Sequence, residues 1–307
     1  MKVFDLHCDI GTDIELSLQK GIESPFNTRH LENLMKGEVQ YVCCACYFCG
    51  TESWEYMAQT IIHAEEVLSK SDGVFVKESS DFDILGKVNP IISVEGMCGI
   101  KENPREKIQF MAKHHVKMAS LAWNDENYLA TGNSGNVIRG ITEAGYEAMD
   151  EMNKCGIILD VSHLNEASFW DVIKDCEGKV CATHSNAKAL CSVDRNLTDQ
   201  QIRAIAARGG IIGMNACGDF VHSEKDKQDA YHLALHAKYM ADLVGVKHVA
   251  CGFDFMDFLD EFGADEMAKG LKCASEAQNF VSALYEVGFN EAEVEAICYK
   301  NALEFFK

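Results

Sequence analysis

Ile157-Ile158-Leu159-Asp160-Val161-Ser162-His163 is a short apolar run of strand character, with Asn165 two residues beyond it. Asn165 reads as the N-cap of a helix patterned over 165–176. A second strand-like run, Val180-Cys181-Ala182-Thr183-His184, follows directly. Strand, helix and strand in so short a span form a βαβ unit, whose strands pair in parallel. Both strands of this unit close on a histidine.

The same alternation extends in both directions. Upstream lie strand-like runs at 3–7, 41–48, 90–95 and 116–123, and downstream at 210–215 and 248–254. Helical spacing of apolar residues marks 53–71, 142–155 with Thr142 as cap, and 229–244. The segment 198–208 opens Thr-Asp-Gln-Gln, a capping-box pattern. Helices are also expected over 268–287 and 290–306. Eight strand–helix units predict an α/β fold closed as a (β/α)8 TIM barrel rather than an open sheet. The chain has 307 residues and only 3 prolines, and no stretch reads as a linker, so residues 1–307 are expected to form one catalytic domain.

Composition narrows the partners. A formal charge of −20 argues against nucleic acid and against anionic lipid, both of which call for clustered Lys and Arg. No run of 18 apolar residues suggests a membrane span. The chain opens Met1-Lys2-Val3-Phe4-Asp5-Leu6 without a leader-like apolar stretch, and its last residues are charged. The 14 cysteines are therefore expected to be reduced thiols in a cytoplasmic protein. Cys43-Cys44-Ala45-Cys46-Tyr47-Phe48-Cys49 contains a C-x-x-C, but it falls within a strand, where alternate residues face opposite ways, so packing is the expected role.

The chemistry is concentrated where the strands end. In such barrels the active site lies at the C-terminal strand ends. The first strand ends in His7-Cys8-Asp9, the third in Glu95, the fifth in His163, the sixth in His184 and the eighth in Asp254. Buried charges need partners, and a metal would supply one. His7 and Asp9, two apart, face the same side of their strand. Histidine with carboxylate and no thiolate suits a divalent ion such as zinc. Five ligands are too many for one open catalytic zinc, but they suit two ions about 3.5–4 Å apart, bridged by Glu95 and holding a hydroxide between them. The other histidines, at 30, 63, 114, 115, 222, 232, 236 and 248, are expected at surface positions.

These residues resemble a known family. Asp5-Leu6-His7-Cys8-Asp9, Ser93-Val94-Glu95-Gly96, Gly140-Ile141-Thr142 and Asp160-Val161-Ser162-His163 are similar in order and spacing to segments of the membrane (renal) dipeptidases. So are Thr183-His184-Ser185-Asn186-Ala187, Asp194 to Asp199, and Gly252-Phe253-Asp254-Phe255. The resemblance implies that His7 and Asp9 ligate one zinc, that Glu95 bridges, and that His163 and His184 ligate the second. It implies that Arg195 grips the substrate's C-terminal carboxylate, for which a bidentate fork is apt. It implies that Asp254 exchanges protons with the attacking water and the leaving amine.

Two segments depart from the family pattern. Trp123 stands where better-known members carry a histidine near the scissile carbonyl. Tryptophan donates one N–H and carries no charge, which leaves the carbonyl oxygen to metal, to Asn124 or to another group. Trp123 then reads equally as a wall of the pocket. Met256-Asp257-Phe258 replaces the Asp-Gly of many relatives. The expected activity is zinc-dependent hydrolysis of small L-Xaa-L-Xaa or L-Xaa-D-Xaa dipeptides. The alternatives are hydrolysis of another small amide, lactone or N-acyl amino acid, and a non-catalytic metal-binding barrel. The resemblance also suggests a homodimer.

Overall fold

A computed structural model describes residues 1–83, 87–259 and 266–307. Eight strands alternate with helices: β1 Val3–Cys8, β2 Val39–Tyr47, β3 Asn89–Glu95, β4 Val116–Ser120, β5 Ile158–Asp160, β6 Val180–Cys181, β7 Ile212–Met214 and β8 Val249–Cys251. All pairings are parallel, in the order β6-β5-β4-β3-β2-β1-β8-β7. The open edges then approach each other. Ala182 bridges Ile212, Ala182 N donates to Ile211 O at 3.0 Å, and Gly213 N donates to Ala182 O at 2.8 Å. The barrel is thus nearly closed, as the eight-unit alternation predicted. The seam is tight: a Cβ on Gly213 or Gly252 would stand 1.9 or 1.7 Å from Thr183 O, so only glycine fits there.

The helices form where sequence and caps agree. α1 Ile10–Gln19 and α2 Leu31–Lys36 connect β1 to β2, with a π-turn at Phe26–His30 between them. α3 Trp54–Ser69 is capped by Ser53, α5 Glu143–Cys155 by Thr142 and α6 Glu166–Asp175 by Asn165. α4 Pro104–Lys113 opens on a proline, whose fixed φ suits a first turn. α7 Asp199–Ala207 carries the full capping box between Thr198 and Gln201. α8 Gly218–Val221 is one turn, and α9 Ala230–Val244 is capped by Asp229. The helix expected over 268–287 is shorter, since α10 covers only Ala277–Glu286. Its first part is bound elsewhere: Ala268 N donates to Ala216 O, Lys269 O accepts from Ala230 N, and Gly270 turns the chain at φ 81°. α11 Glu291–Glu295 and α12 Asn301–Phe306 flank a π-turn at Ala296–Lys300.

Packing separates two apolar clusters. The larger lies between the strands and the helices. The smaller holds Phe4, Leu6, Tyr41, Cys43, Ile91, Met118, Ile158 and Cys181, joined by Tyr299, Ala302 and Phe306 from the C-terminal segment. Phe4 stacks on Tyr41 at 5.0 Å and meets Phe306 at 5.1 Å. This is the barrel floor. Cys43 belongs to it, whereas Cys44 and Cys46 belong to the outer cluster, so the C-x-x-C packs in two different directions. No two of the 14 cysteines are bonded to each other. β1 carries an irregularity. Between Asp5 and Cys8 its register against β2 shifts, which lets Leu6 face the floor while His7 faces the rim.

The expectation that the remaining histidines lie at the surface fails for three of them. His30, His236 and His248 are buried. Each has found a hydrogen-bond partner: His30 meets Asp13 at 2.8 Å, His236 Nε2 meets Val221 O at 2.8 Å, and His248 Nδ1 meets Gly210 O at 2.8 Å. Burial of a histidine is tolerated where its ring nitrogens are satisfied. Among the described residues no helix is long and apolar enough to cross a membrane.

Candidate metal centre

Five strand-end residues singled out in the sequence, together with Asp254, meet at one rim. His7 Nε2 lies 3.7 Å from Asp9 Oδ1, 3.6 Å from Glu95 Oε2 and 3.7 Å from Asp254 Oδ1. Glu95 Oε1 lies 2.7 Å from His163 Nε2 and 3.2 Å from His184 Nε2. Two ligand triads result, His7–Asp9–Glu95 and Glu95–His163–His184, each with its ligand atoms within 4.8 Å of one another. Glu95 is common to both and presents a different oxygen to each, as expected of a bridge. All of these side chains are buried.

Several ligand atoms are left without partners. His7 Nε2 and Asp9 Oδ1 are buried and make no hydrogen bond. An unsatisfied buried polar group costs about 1–3 kcal/mol, so two in one cluster call for an explanation. A divalent cation satisfies both, and the donor set of imidazole and carboxylate fits one. A third possible triad, His7–Asp160–His184, is less apt. Asp160 Oδ1 already accepts from Ser162 N, Ser162 Oγ and Thr183 N, and Oδ2 from Thr183 Oγ1.

Electrostatics point the same way. Burial pushes Asp9 up to about 7, although His7 pulls it down. Burial raises Asp254 too, with Glu95 adding to the effect and His7 and Arg195 opposing it. Burial also disfavours a charged Glu95, but His7 and His163 hold it ionised, well below the usual carboxylate range. Burial opposes a charged His7, yet Glu95, Asp9 and Asp254 raise it well above the ordinary histidine value. His163 and His184 are kept neutral by burial first, and then by Arg195 and, for His184, by His7. The cluster is rich in acceptors and short of positive charge, which suits a cation.

The surrounding residues hold this geometry. Asn124 Oδ1 lies 3.0 Å from His163 Nδ1, so it orients that candidate ligand as well as lining the cavity. Arg195 is buried. It donates to Ser185 Oγ at 2.9 Å and His184 O at 3.0 Å, contacts His163 Nε2 at 3.0 Å, and leaves Nε without a partner. Its guanidinium lies 5.9 Å from the Phe220 ring centroid. Asp254 adopts φ 63°, a left-handed conformation that costs a non-glycine residue about 1–3 kcal/mol. Asp254 N donates to His7 O, and Asn215 Nδ2 donates to Asp254 Oδ2 at 3.0 Å.

The centre opens into a cavity of about 300 Å³ lined by Tyr47, Trp123, Asn124, Arg195, Cys217, Phe220, Met256 and Glu266 beside the cluster itself. Trp123 meets Tyr47 edge to face at 5.0 Å and the His163 ring at 6.0 Å, which makes it a wall of the cavity. Tyr47, Ser185 and Asn215 escape a sequence search confined to charged and histidine strand ends. Asn215 closes its strand-like run and Tyr47 stands one residue before the end of its own, so attention to neutral polar residues near strand ends would have found them.

A parallel barrel with three histidines and three carboxylates converging at its strand ends has the architecture of the metal-dependent hydrolases. The family model of the membrane dipeptidases (peptidase family M19) matches residues 1–307, and the chain belongs to that family. It is thereby a peptide-bond hydrolase of the metal-dependent kind. A protein of the pqqA 5′ region of Klebsiella pneumoniae is 31% identical over 228 residues, 71% of this chain and 80% of that protein. The dipeptidase aclJ of Aspergillus oryzae is 25% identical over 221 residues, 71% of this chain and 51% of the relative. The crystal structure of a Rhodobacter sphaeroides metallopeptidase, liganded with a phosphinate mimic of L-Ala-D-Ala, superposes with a TM-score of 0.85. That match is 21% identical, covers 100% of this chain and 98% of the other, and speaks for the fold.

Proposed function

We propose that the chain is a dipeptidase that uses two divalent cations, zinc by donor chemistry, to hydrolyse small L-Xaa-L-Xaa or L-Xaa-D-Xaa dipeptides. The observation that carries this reading is the meeting of orphaned ligand atoms with an unpaired cation in one cavity. His7 Nε2 and Asp9 Oδ1 lack partners, and among the described residues no carboxylate pairs with Arg195. His7, Asp9 and Glu95 would hold one ion, and Glu95, His163 and His184 the other. Bound there, the ions would supply Lewis acidity for carbonyl polarisation and water activation.

The chain's own residues do the rest. Arg195 binds the substrate carboxylate, and its fixed place beside Ser185 and His184 O sets how deep the dipeptide sits. Asp254, raised by burial, takes a proton from the attacking water and delivers it to the leaving nitrogen. Asn215 holds Oδ2, so Oδ1 is the oxygen left for that exchange. Trp123 and Tyr47 close one side of the cavity and keep out bulk water. The cavity of about 300 Å³ admits a dipeptide but little more.

The test is a panel of L-Ala-L-Ala, L-Ala-D-Ala, D-Ala-D-Ala and N-acetyl-alanine, incubated with zinc-loaded protein before and after chelation. The reading predicts cleavage of the two L-first dipeptides and its loss with the metal. Cleavage of N-acetyl-alanine alone would move the substrate to N-acyl amino acids, which share the carboxylate that Arg195 binds. An intact panel would reject the dipeptidase assignment.

A further inference from the structure

The hydroxyl of Thr183 occupies an unusual place. Its Oγ1 lies 2.6 Å from Asp160 Oδ2, 2.6 Å from His184 Nδ1 and 3.2 Å from Ser162 Oγ. Asp160 is buried and tied at every side: Oδ1 accepts from Ser162 N at 3.0 Å, Ser162 Oγ at 2.6 Å and Thr183 N at 3.0 Å. A carboxylate only accepts, so the single hydrogen of each hydroxyl, Ser162 and Thr183, goes to Asp160. Thr183 Oγ1 then has only lone pairs to offer His184. The hydrogen between them must sit on His184 Nδ1, which leaves Nε2 bare, facing Glu95 Oε1 at 3.2 Å.

We infer that Asp160 and Thr183 are positioning residues that fix His184 in the one tautomer able to bind a cation through Nε2. The inference rests on the two-cation reading above. The relay is directional. Backbone N–H groups of Ser162 and Thr183 both point at Oδ1, so an asparagine at 160 must place its carbonyl there and its amide at the Oδ2 position. That amide donates to Thr183 Oγ1. The threonine hydrogen is then turned toward His184 Nδ1, which moves the imidazole proton to Nε2 and blocks the ligand atom. One isosteric change thus reverses a chain of two hydrogen bonds. Outer partners of ligating histidines commonly set affinity in this way. His163 uses a simpler device, a direct contact between its Nδ1 and Asn124 Oδ1.

The experiment compares full-length wild-type protein with D160N, T183V and T183S. Zinc affinity is read by competition with a chromophoric chelator, and the melting temperature of the metal-free protein is read alongside. The expected result is two zincs on wild type and on T183S. In D160N and T183V one zinc stays tight and the other weakens by about 10–100-fold, with metal-free melting close to wild type. A folded D160N that binds both zincs as tightly as wild type overturns the inference. So does a T183S that weakens as much as T183V, since the hydroxyl would then not be what matters. Should D160N fail to fold, the T183V and T183S pair decides alone. Wild-type protein that binds no zinc overturns the two-cation reading, and this inference with it. Normal wild-type binding with unchanged variants overturns this inference only.

Discussion

The floor and the rim of the barrel are built from the same strands, a few residues apart, yet they are held in opposite ways. At the floor, Phe4, Tyr41, Phe82 and Phe306 stack within 5.0 to 5.8 Å of one another and satisfy each other by dispersion and burial. At the rim, His7, Asp9, Glu95 and Asp254 crowd together, with His7 Nε2 and Asp9 Oδ1 unsatisfied and the Asp9 and Asp254 carboxylates pushed toward protonation. The floor is complete in itself. Under the proposed two-cation reading the rim is completed only by cations, and it costs stability until they bind. Stability and function are thereby placed at different depths of one barrel, and substitutions at the two ends should separate them.

The largest separation is expected from Glu95→Gln. It removes the carboxylate shared by both triads, so zinc affinity and dipeptide hydrolysis should each fall by more than about 100-fold. The metal-free melting temperature should fall little, because Asp9 and Asp254 remain beside His7. Chelator competition and thermal melting check the two halves of this statement. Melting well below wild type, with zinc binding retained, would erase the contrast between rim and floor.

Phe306→Ala should do the reverse. It empties the base of the floor and should cost about 3 kcal/mol in denaturant unfolding. The zinc stoichiometry of the folded fraction should not change. Loss of zinc from folded F306A would mean that the two ends are mechanically coupled.

A smaller, pH-dependent effect is expected behind the rim, on α9. Burial lowers His236 from 6.5 to about 4. Its Nδ1 accepts from Ala187 N at 3.0 Å and its Nε2 donates to Val221 O at 2.8 Å, a pattern that needs the neutral ring. The unfolded chain takes up a proton near pH 6.5, which the folded chain refuses until about 4. Stability from this group is therefore present above pH 6.5 and is lost as pH falls toward 4, by at most about 3 kcal/mol. Unfolding curves for wild type and His236→Gln at pH 7 and pH 4.5 should converge at the lower pH. A gap between the two proteins that is as wide at pH 4.5 as at pH 7 would contradict this assignment.

Much of this was legible in the sequence, for physical reasons. Eight apolar runs broken by capped helices specify a parallel barrel, and caps such as Thr142, Asn165 and Thr198 fix helix starts to a residue. His7, Asp9, Glu95, His163, His184 and Asp254 could be read because strand ends converge in a barrel whatever the loops do. What escaped depends on contacts between distant segments. Nothing near His236 in sequence reveals that Ala187 and Val221 will satisfy it. Residues 268–273 carry a helical pattern, but backbone bonds to Ala216 and Ala230 and the turn at Gly270 keep them out of a helix. The register shift in β1, which lets Leu6 and His7 serve opposite ends, leaves no trace in the period-two pattern. The Asp160–Thr183 relay needs the register of β5 on β6, Asp160 against Cys181, to bring its members together.

The most direct test of the account is the number of zinc ions held per chain after chelator-stripped protein is reloaded and free metal removed, for wild type and Glu95→Gln side by side. The rim described above predicts about two per wild-type chain and fewer than one per E95Q chain. No zinc on wild type, or two retained by E95Q, would contradict a centre bridged by Glu95.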